Sequence, residues 1–380
     1  SGEYIIRRDI TSRLSQLTFS FDADARLIAG WLAYAQGVAA APTGTQVAEV
    51  WTLTVTGTLT AGTFKILHTN EGISDTVDIP YNATAAEIKV LLESLRTIKK
   101  GNVLVSGSLP AGPIVITGTG KLAAGNISVA TINNAALTGG TVAIATTTPG
   151  TSKTVAITRT TLDQTPLFSL IVGFEDDTTV PDIYKDCVVN SVTIRGALRG
   201  KVTVELSILG SADVIQTLAY TLPDCVNIDP IYTRDCRLVV DGTFLIEDLR
   251  EFSYVFSNNV FSGEDAFPYD DIDITRLEHG DRTSSFVFSI YGSKGDTIYN
   301  LAELETPVPV RLILGAPVER VEINAPKTSL VLDENPITFA GEAGRSAIGI
   351  VGTPFYDSAT GGTPDNVIYT GAETTTLLDT

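Results

Sequence analysis

The stretch from Val188 to Gly210, VVNSVTIRGALRGKVTVELSILG, limits the possible folds of this chain more than any other. Val192 and Ile194 alternate with Ser191, Thr193 and Arg195; past a turn, Val202, Val204, Leu206 and Ile208 alternate with Thr203, Glu205 and Ser207. A period of two on both arms belongs to a strand pair with one face on a core and the other on water or a polar partner. The predicted core face is Val192, Ile194, Val202, Val204, Leu206 and Ile208, and the predicted polar face is Thr193, Arg195, Thr203, Glu205 and Ser207. Gly196 and Gly200 bracket the turn, where we expect the positive φ that other residues resist. Nothing on the hairpin resembles catalytic chemistry.

The remaining chain extends the β pattern. Turn residues recur about every ten positions among abundant Thr, Val, Ile and Gly, which predicts a mainly β protein. With 380 residues, two domains are the natural expectation. QLTFSF at 16–21 reads as a strand. DADARLIAGWLAYAQG carries Leu27, Ile28, Trp31, Leu32 and Ala35 at helical spacing, with Asp22 as N-cap and Gly37 as stop. From 48 to 150 the sequence turns Thr-, Ala- and Gly-rich and poor in aromatics. Here Ile88, Leu91, Leu92 and Leu95 form a helical stripe behind a Thr84–Glu87 capping box. Strands with more aromatic and charged residues return after 153, with a short helix at TIYNLAEL. We read residues 48–150 as an α+β module inserted into an outer domain of 1–47 and 151–350, and the Gly-, Thr- and Pro-rich 351–380 as an extended arm.

Catalytic candidates are sparse. His68 sits in a strand pattern, and His279 in the charged loop RLEHGDR without hydrophobic framing. The run from Glu264 to Asp273 lacks the spacing of a calcium loop, and no GxxxxGK[ST] phosphate loop is present. Phe252, Tyr254 and Phe256 alternate in LREFSYVFSNNV and read as a packed face. Cys187, Cys225 and Cys236 match no zinc or redox spacing and read as reduced. No cofactor, metal or enzymatic activity is expected. A formal charge of −18, from 44 acidic and 26 basic residues, disfavours grip on nucleic acid, which needs Lys and Arg at the phosphates. The chain begins at Ser1, holds no methionine, and has no signal peptide or run of 18 apolar residues; we expect a protein made in a cytoplasm.

The segments DCVVNSVTIRGALRGKVTVELSILGSAD, LREFSYVFSNNV, SSFVFSIYGSKGDTIYNLAEL and PVPVRLILGAPVERVEINAPKTSL resemble, in order, the hairpin, later strands, short helix and ring-joining segments of siphophage tail tube proteins. DTVDIPYNATAAEIKVLLESLRTIKKGNVLVSG followed by GPIVITGTGKLAAGN is similar to a small module met in phage tail and virion proteins. The resemblance implies a β-sandwich or barrel with one packing helix, carrying the inserted module. It also implies hexameric rings, joined strand edge to strand edge, stacked into a non-contractile tail tube around a tape-measure protein and passing DNA. Tail terminator and distal tail proteins would meet the tube ends. The hairpin's polar face would meet the channel or the next subunit. The module would sit outside, where host surface is a candidate partner, and the protein would reside in the virion tail after assembly in the host cytoplasm.

Three rivals stay open on sequence: a capsid decoration or baseplate component, a secreted glycan-binding adhesin, and an enzyme, the last weakened by two histidines and no framed carboxylate pair; the tube of a contractile tail is a variant of the tail tube reading. The adhesin reading calls for a signal peptide or exposed aromatics on 48–150, and neither is evident.

Overall fold

The protein is described here from a computed structural model covering residues 15–70, 73–110, 112–123, 125, 129–159, 166–174, 177–210, 212–215, 230–244, 249–262, 277–291, 296–316, 319–340, 345–355 and 365–371. In chain order it begins with β1 (Ser15–Asp22), α1 (Ala25–Gln36) and β2 (Gly37–Ala39). There follow β3 (Val50–Asn70), β4 (Ile73–Pro80), α2 (Ala85–Glu93), β5 (Val103–Ser106), β6 (Ile114–Gly118), β7 (Val129–Asn133) and β8 (Leu137–Thr148). Next come β9 (Lys153–Arg159), β10 (Phe168–Phe174), β11 (Asp177–Gly196), β12 (Val202–Gly210), β13 (Ala212–Ile215), β14 (Cys236–Val240) and β15 (Thr243–Phe244). The chain continues through β16 (Leu249–Ser257), β17 (Val260–Ser262), β18 (Leu277–His279), β19 (Thr283–Tyr291), α3 (Thr297–Glu303), β20 (Val308–Ala316), β21 (Glu319–Ala340), β22 (Arg345–Pro354) and β23 (Asn366–Gly371).

The outer domain is a mainly antiparallel β structure folded back on itself. One layer runs β1–β12–β11–β16–β19–β22–β21. The 22-residue β21 then turns into the second layer. Its later half pairs with β22, while Arg320–Asn324 pair with β23 and Val310–Ala316 of β20 pair with Glu319–Ala325. The second layer continues outward through β14 on one side and through β23, β9 and β2 on the other. Side chains from both layers and from α1 share one core, with Ile28, Leu32, Ile194, Leu206, Tyr254, Phe288, Leu312, Ile323 and Val367 among its members. Alternation along each strand places these residues on the inner face, and burying that apolar area is the main term favouring the fold.

Helix α1 is capped by Asp24, whose carboxylate accepts from the Arg26 and Leu27 amides, and it stops at Gly37 with φ 117°. Asp22, the cap expected from sequence, instead closes β1 and pairs with Lys201. The strand simply runs two residues further, because Ala23 N–H still donates to Val202 O across the ladder.

Residues 50–148 form a separate six-stranded sheet with α2 packed on it and their own core around Trp51, Phe64, Ile79, Ile88, Leu92 and Ile116. The Thr84–Glu87 capping box is present. Chain entry and exit lie side by side: β2 pairs with β9, and Thr43 and Val47 bridge to Thr154 and Thr151. His68 is fully buried, with Nδ1 2.7 Å from Thr97 Oγ1 and its ring against Trp51.

Within the stretch read as an extended arm, two segments are strands. Arg345–Pro354 crosses residue 351 as β22, and β23 inserts Val367 and Tyr369 into the core. Flanking Gly, Thr and Pro hide NVIYTG, a strand of ordinary length that is paired on both sides. Residues 372–380 lie outside the described residues, as do Cys225 and the acidic run 264–273.

Candidate assembly surface

The hairpin is β11–β12, and its register pairs Val192 with Leu206 and Ile194 with Val204. Val192, Ile194, Val202, Val204, Leu206 and Ile208 are all wholly buried. On the other face Arg195, Thr203 and Glu205 are exposed and Ser207 is half-buried, while Thr193 retains only 8% exposure between Glu205 and Val255 on its two neighbouring strands. The turn differs from expectation. Neither Gly196 nor Gly200 takes a positive φ; Arg199 does, at 58°. Gly196 is required for space instead, since a Cβ there would stand 2.3 Å from the Phe252 ring on the facing strand.

The outward face of this layer is a field of hydroxyls. One row reads Thr18, Ser207, Ser191, Ser257 and Thr283 across five strands; the next includes Ser20, Glu205, Thr193, Val255 and Ser285. Its charges are locally balanced: Arg195 Nη2 stands 3.8 Å from Glu205 Oε2, and Lys201 pairs with Asp22. The hydrogen bond from Lys201 to Asp22, ahead of simple attraction, raises the lysine pKa. A surface whose cations are already committed to carboxylates holds little affinity for a phosphate backbone.

Neither hairpin strand is an edge. β12 lies between β1 and β11, and β11 between β12 and β16. Among the described residues the layer's free edges are β1 at one end and, at the other, Ser329–Leu332 and Ile337–Ala340 of β21, where only β22 pairs. Because Ala23 N–H points to β12, alternation turns the N–H groups of Thr18 and Ser20 away from it. Both side chains there are exposed. Native proteins normally blunt such edges, and here one stands at each end of a single seven-stranded layer.

The comparisons decide the family. A family model described as phage tail tube protein matches residues 119–370, more than half the chain. The chain belongs to the phage tail tube family. No curated protein matches it. The match ends at the last residues of β23, so this strand falls within the region shared by tail tube proteins. The family makes this a structural component of the phage tail, which associates with itself and with other tail proteins, and not a member of an enzyme family. Among the described residues, no group of three or more His, Cys, Asp or Glu could hold a metal ion, and no helix is long and apolar enough to cross a membrane.

The aromatic stripe Phe252, Tyr254 and Phe256 packs into the tail tube domain's core. Cys187 and Cys236 are buried thiols not joined in a disulfide, and burial pushes both up. A buried polar cluster that sequence reasoning missed links the two layers: Arg159, Tyr254 and Asp365 meet in the core beside Gln36 and Ser284. No local pattern signals it, because its members are separated by up to 206 positions.

Proposed function

We propose that this chain forms hexameric rings by pairing the β1 edge of one copy with the Ser329–Leu332 edge of the next, and that the rings stack into a non-contractile tail tube. The two free edges of one layer carry this reading, because edge pairing head to tail around a closed ring leaves no edge exposed. The hydroxyl-rich face with Thr193, Arg195, Thr203, Glu205 and Ser207 then lines the channel, around a tape-measure protein before ejection and around DNA during it. Its paired charges and the −18 formal charge of each copy let DNA pass without gripping it. Tail terminator and distal tail proteins meet the two ends of the tube. Residues 48–150 project outside the wall as a decoration, where host surface is a candidate ligand. This body contains six acidic and six basic residues, so the whole −18 resides outside it, in residues 1–47 and 151–380. Assembly takes place in the host cytoplasm.

Negative-stain electron microscopy at rising concentration tests the proposal. Rings and hollow tubes with a bore wide enough for duplex DNA are expected. Monomers at every concentration would overturn the tube reading and favour a capsid decoration or baseplate role.

A further inference from the structure

Resting on the ring arrangement proposed above, the geometry points to the β11–β12 tip as the axial contact between rings. Strands that join edge to edge into a barrel run at about 35–45° to its axis, so their ends face the neighbouring rings rather than the neighbouring subunits. At one end stands the tip Ala197–Gly200. At the opposite end of the same layer stand Ser257 and Thr283, which pair at the far end of the ladder from Gly196 and Phe252.

The tip is held rigidly. Gly200 N–H donates to Ala197 O at 2.9 Å. The short 3-10 turn Thr233–Asp235 braces it from outside: Thr233 Oγ1 donates to Ala197 O at 2.6 Å, and Thr233 N–H donates to Gly200 O at 3.0 Å. Yet the braced turn covers nothing. Leu198 is 47% exposed, and Ala197 and Arg199 are exposed beside it. A tip fixed by its neighbour while presenting an apolar and a cationic side chain to solvent is pre-organised for a partner, since the ordering cost is met before binding.

Charge identifies that partner as a second copy of this chain. Arg199 and Arg234, both exposed, stand at the tip and on its brace; the Arg234 guanidinium lies over the Tyr232 ring at 4.9 Å. They form a cationic point in the part of the chain outside 48–150, which carries the whole −18. At the other end of the layer, exposed Asp281 precedes β19, and its backbone oxygen is held by Asn259 Nδ2. Stacking head to tail brings the cationic tip of one ring onto the exposed Asp281 of the next, whose neighbour Arg282 turns inward to Gln36 O, a complementarity that like-facing ends would lack.

The brace also holds the inserted body: Lys99 Nζ reaches Asp235 Oδ1 at 2.5 Å.

Charge reversal in the full chain separates the claims. In Arg199→Glu/Arg234→Glu, single rings are expected with stacking lost, at unchanged thermal midpoint. Adding Asp281→Arg is expected to restore tubes. A second variant, Leu198→Ser, is expected to shift tube formation to at least tenfold higher protein concentration. Tubes formed by the double reversal as readily as by wild type would overturn the inference, as would loss of rings together with tubes, or no recovery with Asp281→Arg. Failure of wild type to form rings would instead strike the ring reading on which this rests.

Discussion

Arg159 Nη2 lies 2.8 Å from Asp365 Oδ1 inside the tail tube domain, with the aspartate fully buried and the arginine 10% exposed. Asp365 also accepts from Tyr254 Oη at 2.6 Å, and the guanidinium stacks 5.0 Å from the Phe256 ring. The pair ties β9 in one layer to the start of β23 and to β16 in the other. Removing one partner leaves an uncompensated charge in the core, which costs more than the pair itself contributes.

Asp365→Ala is accordingly expected to destabilise the domain by about 3–5 kcal/mol. A urea midpoint within error of wild type would show that Arg159 finds another partner.

Alkaline pH acts on the same cluster. Burial, reinforced by the Asp365 carboxylate, holds the Tyr254 pKa well above the ordinary tyrosine value. The folded state thus keeps a proton that the unfolded chain releases, so this contribution is complete below about pH 10 and is lost as pH rises past it. The thermal midpoint should fall as pH rises above about 10, less steeply in Tyr254→Phe. Equal slopes in both proteins would remove Tyr254 as the cause.

Gly196 faces Phe252 so closely that any side chain must displace the ring. Gly196→Val is expected to cost about 1–3 kcal/mol by overpacking, read from denaturant unfolding. Phe252→Leu in the same chain should recover part of it.

Ser20→Pro removes an outward N–H from β1 without touching a bond to β12. Ring formation should weaken at least tenfold in concentration, by analytical ultracentrifugation, while the monomer's circular dichroism is unchanged. Unaltered assembly would exclude β1 as a pairing edge.

The body at 48–150 offers a local test. Thr84 Oγ1 accepts from the Glu87 amide at the start of α2. Thr84→Ala should cost about 1 kcal/mol, confined to the unfolding of this body and silent in ring assembly. A matching loss in the outer domain's transition would show that the two cores unfold together.

Much of this was legible in the sequence. The alternation of Val192–Ile208, the aromatic stripe at 252–256, the stripe of Ile88 and Leu92 and the Thr84 cap each depend on neighbours within a few positions, and each specifies its own strand, helix or cap. The same local patterns, together with the order of the resembling segments, identified the tail tube family.

Other features depend on partners that no local pattern names. Gly196 reads as a turn glycine until Phe252 is seen across the ladder. Asp365 reads as loop polarity until Arg159, 206 positions away, reaches it. NVIYTG reads as part of an arm until Arg320–Asn324 and Lys153–Ile157 close on its two sides. Sequence by itself determined the strands of the hairpin and of the aromatic stripe, the helix α2, and which face of each is apolar, because periodicity is a property of adjacent side chains. The tertiary structure alone decided which strands lie at the edges and which charges meet in the core, because strand order and burial are set by contacts between distant parts of the chain.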